Sequence, residues 1–310
     1  MIDELGGILL PVFTLASVGY LWRRLGFPFE REFVTRVIMN VSGPCLIVDS
    51  LSQLTLPMRD FVAMLGGSLA MLVLTVVGAL GLLKAANLPI RSYLPALAIG
   101  NNGNLGLPLC LFAFGQEGLG LGVAVYVTYS VGQFTLTPML QSRLSPWRTL
   151  ATTPVIYAAL IGAVLLAGGV RPPQWIGTTI GLLGDLMIPL MLLALGNTLG
   201  ELRATRLPFA LGWGTVRLLL GFLVALGVAE LFELEGTPKG VLILQGAMPT
   251  AIFELLVRGA LRPSSGRHRR HCARLDDSGG VAVAAAHRVC ARRRSVSAAR
   301  FRLRRLRRSP

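Results

Sequence analysis

Apolar residues along this chain fall into long blocks and do not alternate with polar ones. Runs of about 20 residues recur near 6–22, 33–51, 61–83, 92–114, 119–140, 149–170, 176–199, 207–229 and 240–257. About 20 apolar residues are what a helix needs to cross roughly 30 Å of hydrocarbon. None of the runs has the two-residue alternation of a membrane barrel strand. They are apolar on every face, and a single soluble core cannot bury nine such helices. The pattern predicts an all-α polytopic membrane protein with nine recognisable spans.

Two runs are interrupted by residues that oppose a continuous helix. The fourth contains "LAIGNNGNLGLPL" at 97–109, with three asparagines, three glycines and Pro108. The ninth contains "QGAMPT" at 245–250, with Pro249. Proline removes a helical hydrogen bond and clashes with the preceding turn, and glycine lowers the cost of unwinding. Breaks are expected around Gly103–Pro108 and Gly246–Pro249. Backbone unpaired in lipid costs several kcal/mol per group, so such breaks must be buried in protein or line a cavity.

These two segments also belong to a faint internal repeat. "LPVFTLASVGYL" at 10–21 resembles "TPVIYAALIGAV" at 153–164, and "NVSGPCLIVDSL" at 40–51 resembles "DLMIPLMLLALG" at 185–196. "NLGLPL" at 104–109 resembles "QGAMPT", so the three pairs keep nearly constant offsets of 143, 145 and 141 residues in one order. A unit of five spans is odd, which flips the second copy in the membrane. The expected fold is a five-plus-five inverted repeat with crossed discontinuous helices, an arrangement that places transporter sites near the bilayer midplane. Residues 1–140 form the first repeat, 141–257 hold four recognisable spans of the second, and 258–310 are a tail.

Charge adds an orientation. Loops one, three, five and seven carry ten Lys and Arg residues, and the other loops carry Arg59, Arg171 and Lys239. Basic loops stay cytoplasmic, so the N-terminus, with Asp3 and Glu4, is expected outside a cell (inner) membrane. "MIDEL" lacks the basic start of a signal peptide. The net charge of +15 belongs to the tail: residues 258–310 hold 16 arginines against Asp276 and Asp277, which leaves +1 for residues 1–257.

The chemistry expected at the crossing is that of amides and freed backbone groups. Asn101, Asn102 and Asn104 offer donors and acceptors without fixed charge, beside Gly103 and Pro108. Gln245, Pro249 and Thr250 are their candidates on the other side, with Asn197 as a further cavity-wall residue. Half-helix N-termini favour anions and freed carbonyls favour cations. A small organic anion is the expected substrate. An alternative reading leaves the asparagines only to satisfy the exposed backbone. Ionisable residues inside spans are functional candidates because burying them is costly. Asp185, aligned with Asn40 in the repeat, is the candidate for H+ or Na+ coupling, and Asp49 is expected near the outer water. Arg217 is expected to snorkel to the cytoplasmic interface or to pair with an acid. The motifs HExxH and GxSxG, the P-loop and a paired catalytic carboxylate are missing from the sequence, so no enzyme and no cofactor are expected. The four cysteines have neither metal nor disulfide spacing. A channel or membrane receptor is the rival reading.

With "GNNGNLGLPL" in the fourth span and "QGAMPTAI" in the ninth, the chain resembles bacterial members of the auxin efflux carrier family. The resemblance covers about 1–253. It implies ten spans, passage of small organic anions by uniport or ion coupling, and Asn101, Asn102, Asn104, Pro108 and Pro249 at a crossover. It further implies a scaffold and homodimer face made by spans one, two, six and seven, with the remaining spans moving.

The tail departs from this pattern. Residues 258–310 contain no Ile, Met, Lys, Asn, Gln, Thr, Tyr or Trp, and their longest apolar run, "VAVAAA", is far too short to cross. Metal at "HRRH" and nucleic acid or anionic lipid at the arginines are set aside in favour of a reading-frame shift near residues 254–260 of a GC-rich gene. Translating the other frame of the DNA past codon 255 is expected to restore an apolar run of about 20 residues; a polar continuation in every frame would refute the shift.

Overall fold

The computed structural model describes residues 2–55, 58–141, 146–201 and 207–250. The expected tail, Glu254 and the tenth span lie outside these residues. All the described residues belong to one compact unit.

The first half begins with α1 (Ile2–Arg24) and α2 (Arg31–Val37), which passes through a π-helical turn at Ile38–Ser42 into α3 (Gly43–Gln53). The wider turn falls just before Pro44, whose ring supplies no N–H to the ladder. Next come α4 (Met58–Ala85), α5 (Ile90–Ala98), a second π-helical turn at Asn102–Gly106 and α6 (Leu107–Gln141). The second half contains α7 (Pro146–Ala151), α8 (Pro154–Gly168), α9 (Gln174–Asp185), α10 (Met187–Glu201), α11 (Leu207–Leu231) and α12 (Gly236–Gly246). Among the described residues the only extended pairing is an isolated antiparallel bridge between Gly100 and Thr250.

Six of these helical stretches are long and apolar enough to cross a membrane. The difference from nine has local causes. The expected fourth and fifth spans run on as one stretch, Asn102–Thr137, which turns at Gly115. There φ is +65° and ψ is −155°, a conformation that glycine tolerates because it lacks a Cβ. The sixth span, α8, has 15 residues. The nine residues of α5 and the eleven of α12 are each about half a bilayer in length at 1.5 Å per residue. The protein is an all-α polytopic membrane protein.

Packing separates the helices into two neighbourhoods. In one, α1 lies along α10, while α3 packs on α8 and α9. In the other, α4 packs on α5, α6 and α11, and α12 lies between α6 and α11. Small residues let backbones approach in the first group, as is usual where lipid provides no hydrophobic drive between helices. A Cβ on Gly19 would meet the Leu193 carbonyl, and one on Gly196 would meet that of Ala16. On the α3–α8 side, Gly162 fits against Leu51, where an added Cβ would stand 2.7 Å from Leu51 Cδ1. Apolar side chains cover the outside, among them Leu10, Phe13, Leu160 and Val164.

At the end of this group, Glu201 receives Arg23 and Arg31, each at 2.8 Å. Arg31 also donates through Nε and Nη2 to the Oδ1 of buried Asn197, at 3.2 and 3.1 Å. Asn197 is therefore bonded to α2 and is not among the polar contacts at the crossing. Gly196→Ala tests the α1–α10 contact. It is expected to cost about 1–3 kcal/mol through overpacking, read as a lower unfolding temperature in detergent. Unchanged unfolding would mean that these helices can separate without penalty.

Candidate functional site

The break in the fourth span lies earlier than the glycines and proline indicated. α5 ends at Ala98, Ile99 is extended, and Asn101 has φ −80° and ψ 52°. Gly103–Pro108, the expected break, instead form the π-helical turn and the start of α6. Pro108 is the second residue of α6, directly after that turn, and a π-helical turn is where a helix absorbs a missing ladder N–H without opening. The disruption lies one turn earlier, at Ile99–Asn101. On the other side α12 ends at Gly246, and Ala247–Pro249 are non-helical.

The two breaks satisfy each other's backbone. The Asn101 N–H donates to the Pro249 carbonyl at 2.7 Å, beside the Gly100–Thr250 bridge. The Asn101 carbonyl accepts the N–H groups of Leu105 and Gly106, at 3.2 and 3.1 Å, and so starts the next half-helix. Side chains reinforce the crossing. Asn102 Nδ2 donates to the Gln245 carbonyl at 3.0 Å and to Gln245 Oε1 at 2.9 Å. Gln245 Nε2 in turn points to Cys110 Sγ at 3.4 Å. Gly106 leaves room for the Gln245 carboxamide, with which a Cβ would collide. Asn102 and Gln245 stand 143 residues apart in the chain.

The expected site residues divide. Asn101, Asn102, Gln245 and Thr250 are buried at the crossing, with Pro249 beside them. Gly103 is half-buried in the π-helical turn, against Tyr126 and Met191. Pro108 is buried one turn further on. Asn104 is exposed, on the outer side of the same turn, so the three asparagines do not act as a cluster. Asn40 and Asp185 are elsewhere. Asn40 is exposed in the first π-helical turn, where it donates to the Arg36 carbonyl at 2.8 Å. It lines a cavity of about 370 Å³ with Pro44, Cys45, Thr152 and Tyr157. Asp185 is exposed at the end of α9, where the expected seventh span is interrupted.

Arg217 corrects the sequence-based expectation. It neither snorkels nor pairs with an acid: its side chain is 0% exposed, and among the described residues it enters no ion pair. From α11 it reaches the end of α12, where Nη1 donates to the Gly246 carbonyl at 3.1 Å. Its Nε and Nη2, and Asn102 Oδ1, are buried without hydrogen-bond partners. Its place near the middle of an apolar run was the available signal, and such a residue costs about 2.5–3.5 kcal/mol on insertion scales. Direction was not available, because α11 is apolar on all its faces. No cluster of three or more His, Cys, Asp or Glu residues suited to a metal occurs among the described residues.

Comparison with known proteins agrees with this architecture. The family described as "Membrane transport protein" matches residues 137–258. A Methanothermobacter thermautotrophicus protein named only as a transporter is 30% identical over 260 residues, covering 79% of this chain and 84% of its own. A transporter of Methanocaldococcus jannaschii is 26% identical over 276 residues, covering 81% and 87%. A Rhizobium meliloti protein, whose name proposes it as a malonate transporter, is 25% identical over 229 residues, covering 68% and 71%. With apolar helices that cross a membrane several times, two interrupted segments bonded to each other, and a transporter alike over most of both chains, this protein is a multi-pass membrane transporter and belongs to the auxin efflux carrier family.

Proposed function

We propose that this protein is a secondary transporter that moves small organic anions, carboxylates or auxin-like acids, by alternating access. The observation that carries the reading is the bonded crossing, in which Asn102 reaches Gln245 and Asn101 reaches Pro249. A mid-membrane interruption is retained only where it is buried in protein or serves a cavity. The half-helix α6 begins there and directs its N-terminal partial positive charge at the crossing, which suits an anion. The Rhizobium relative's name supports a carboxylate.

In this reading the two halves are inverted repeats. Two features support it. The 143-residue separation of Asn102 and Gln245 lies within the offsets of the sequence repeat. Gly19, on the first span, meets Leu193 of the seventh, while its counterpart Gly162, on the sixth, meets Leu51 of the second, so matching spans exchange partners between the halves, about one turn out of register. The group containing α1, α3, α8, α9 and α10 is the scaffold, through which the homodimer forms. The group containing α4, α5, α6, α11 and α12 moves with the substrate. The N-terminus faces outside in the inner membrane. H+ or Na+ coupling, if used, involves Asp185 and Asn40 at the scaffold interruptions. Asn104 faces the substrate path from the outer side of its turn.

Uptake of radiolabelled acetate, malonate, succinate and indole-3-acetate into proteoliposomes tests the reading, with and without a proton or sodium gradient. Both the 310-residue chain and its frame-restored counterpart belong in the assay. Saturable uptake of at least one acid is expected, and none for either protein would sink the carrier assignment.

The crossing itself is tested by Asn102→Ala and Asn104→Ala. The first leaves buried groups of Gln245 unpaired and is expected to cost about 1–3 kcal/mol, with a large loss of uptake. The second is expected to change stability by about 0.5 kcal/mol or less while it weakens uptake. Equal stability losses would contradict the assigned geometry.

A further inference from the structure

The buried guanidinium on α11 has one edge bonded and one edge idle. Arginine carries five N–H donors in a planar fork. Nη1 is used on the Gly246 carbonyl at the end of α12. Nε and Nη2, which flank the adjacent edge, have no partner although the whole side chain is sealed from solvent. Among the described residues no carboxylate forms an ion pair with Arg217. Among these residues, a positive charge is therefore held at the crossing without a counter-ion.

The idle edge faces the same place as the broken fourth span. A methyl group on Gly100 would stand 2.7 Å from Arg217 Nη2 and 2.9 Å from Asn102 Oδ1. Those two atoms, both unpartnered and buried, therefore flank the Gly100 backbone, which bridges to Thr250. Burying an unpaired charge is destabilising, and an arrangement that keeps one needs a return. Parallel N–H bonds from Nε and Nη2 match the two oxygens of a carboxylate, a geometry that an ammonium or an amide cannot reproduce.

We infer that Arg217 is the carboxylate ligand of this transporter: its Nε–Nη2 edge pairs with the substrate anion, while Nη1 keeps the guanidinium anchored to the carbonyl of Gly246. This rests on the reading of the crossing as an organic-anion site. Arg217 makes that site selective for charge. An acid neutralises the buried cation when it binds, and the corresponding amide leaves it unpaired. Asn102, with its amide already committed to Gln245, holds the opposite wall and does not supply the charge.

Thermal unfolding of the purified 310-residue protein in detergent tests this, titrated with acetate, malonate, succinate and indole-3-acetate, each beside its uncharged amide. At least one acid is expected to raise the unfolding temperature where its amide does not. Arg217→Gln is expected to need about 10- to 100-fold more of that acid, and Arg217→Lys to fall between the two. Without ligand, Arg217→Gln is expected to unfold at the same temperature or higher, because a buried unpaired charge has been removed. An acid response kept in Arg217→Gln would overturn the assignment of Arg217 and leave the organic-anion reading standing. A lowered unfolding temperature of Arg217→Gln without ligand would overturn it in favour of a structural clamp. If none of the four acids shifts the unsubstituted protein, the organic-anion reading falls together with it.

Discussion

A helix cannot be opened inside hydrocarbon unless the freed backbone groups find partners within the protein. Each group left bare costs several kcal/mol, more than most packing contacts return. Here the partners come from the other half of the chain. The N–H of Asn101 meets the carbonyl of Pro249, and Gly100 pairs with Thr250, so a fragment of antiparallel pairing sits inside an otherwise helical bundle. The half-span lengths of α5 and α12, the buried amide of Asn102 and the location of Gln245 against α6 all depend on that exchange. Within hydrocarbon, neither interruption could be kept without the other.

The two neighbourhoods of helices solve different problems. Around α1, α3, α8, α9 and α10, backbones approach at glycines, and the charged end is tied by Arg23, Arg31 and Glu201. The exposed ion pairs themselves contribute little, so the rigidity there comes from close packing. Around α4, α5, α6, α11 and α12, the side chains of Asn102, Gln245 and Arg217 are buried at the crossing. Both groups bury polar atoms without partners, among them Ser50 Oγ and Asn197 Nδ2 in the first and Thr75 Oγ1 in the second. What sets the second group apart is charge: among the described residues Arg217 alone buries a guanidinium, with Nε and Nη2 unbonded.

The interruptions show how a local rule and a tertiary demand combine. Pro108 and the nearby glycines mark a place where the fourth span is weak. Pro108 and Pro44 nevertheless do the same thing: each is the second residue of an α-helix that follows a π-helical turn, at Asn102–Gly106 and Ile38–Ser42. The full break lies one turn earlier in the fourth span, at Ile99–Asn101, where Pro249 and Thr250 answer the freed backbone. Among the described residues the second span meets no such partner segment and stays helical through its π-helical turn.

Composition and block length were enough to determine that the chain crosses a membrane as helices, and where most of them start and stop, because hydration and helix breaking act on neighbouring residues. The existence of two weak spans, and the amides within them, was legible for the same reason. Which polar group meets which was decided only in three dimensions. Asn102 turns inward and Asn104 outward, Asn197 joins Arg31, and Arg217 points away from the interface toward the crossing. Orientation in a soluble helix can be read from its apolar stripe. The helices that carry these residues are flanked by apolar positions on every side, so no stripe exists, and their rotation is set by the partners they pack against.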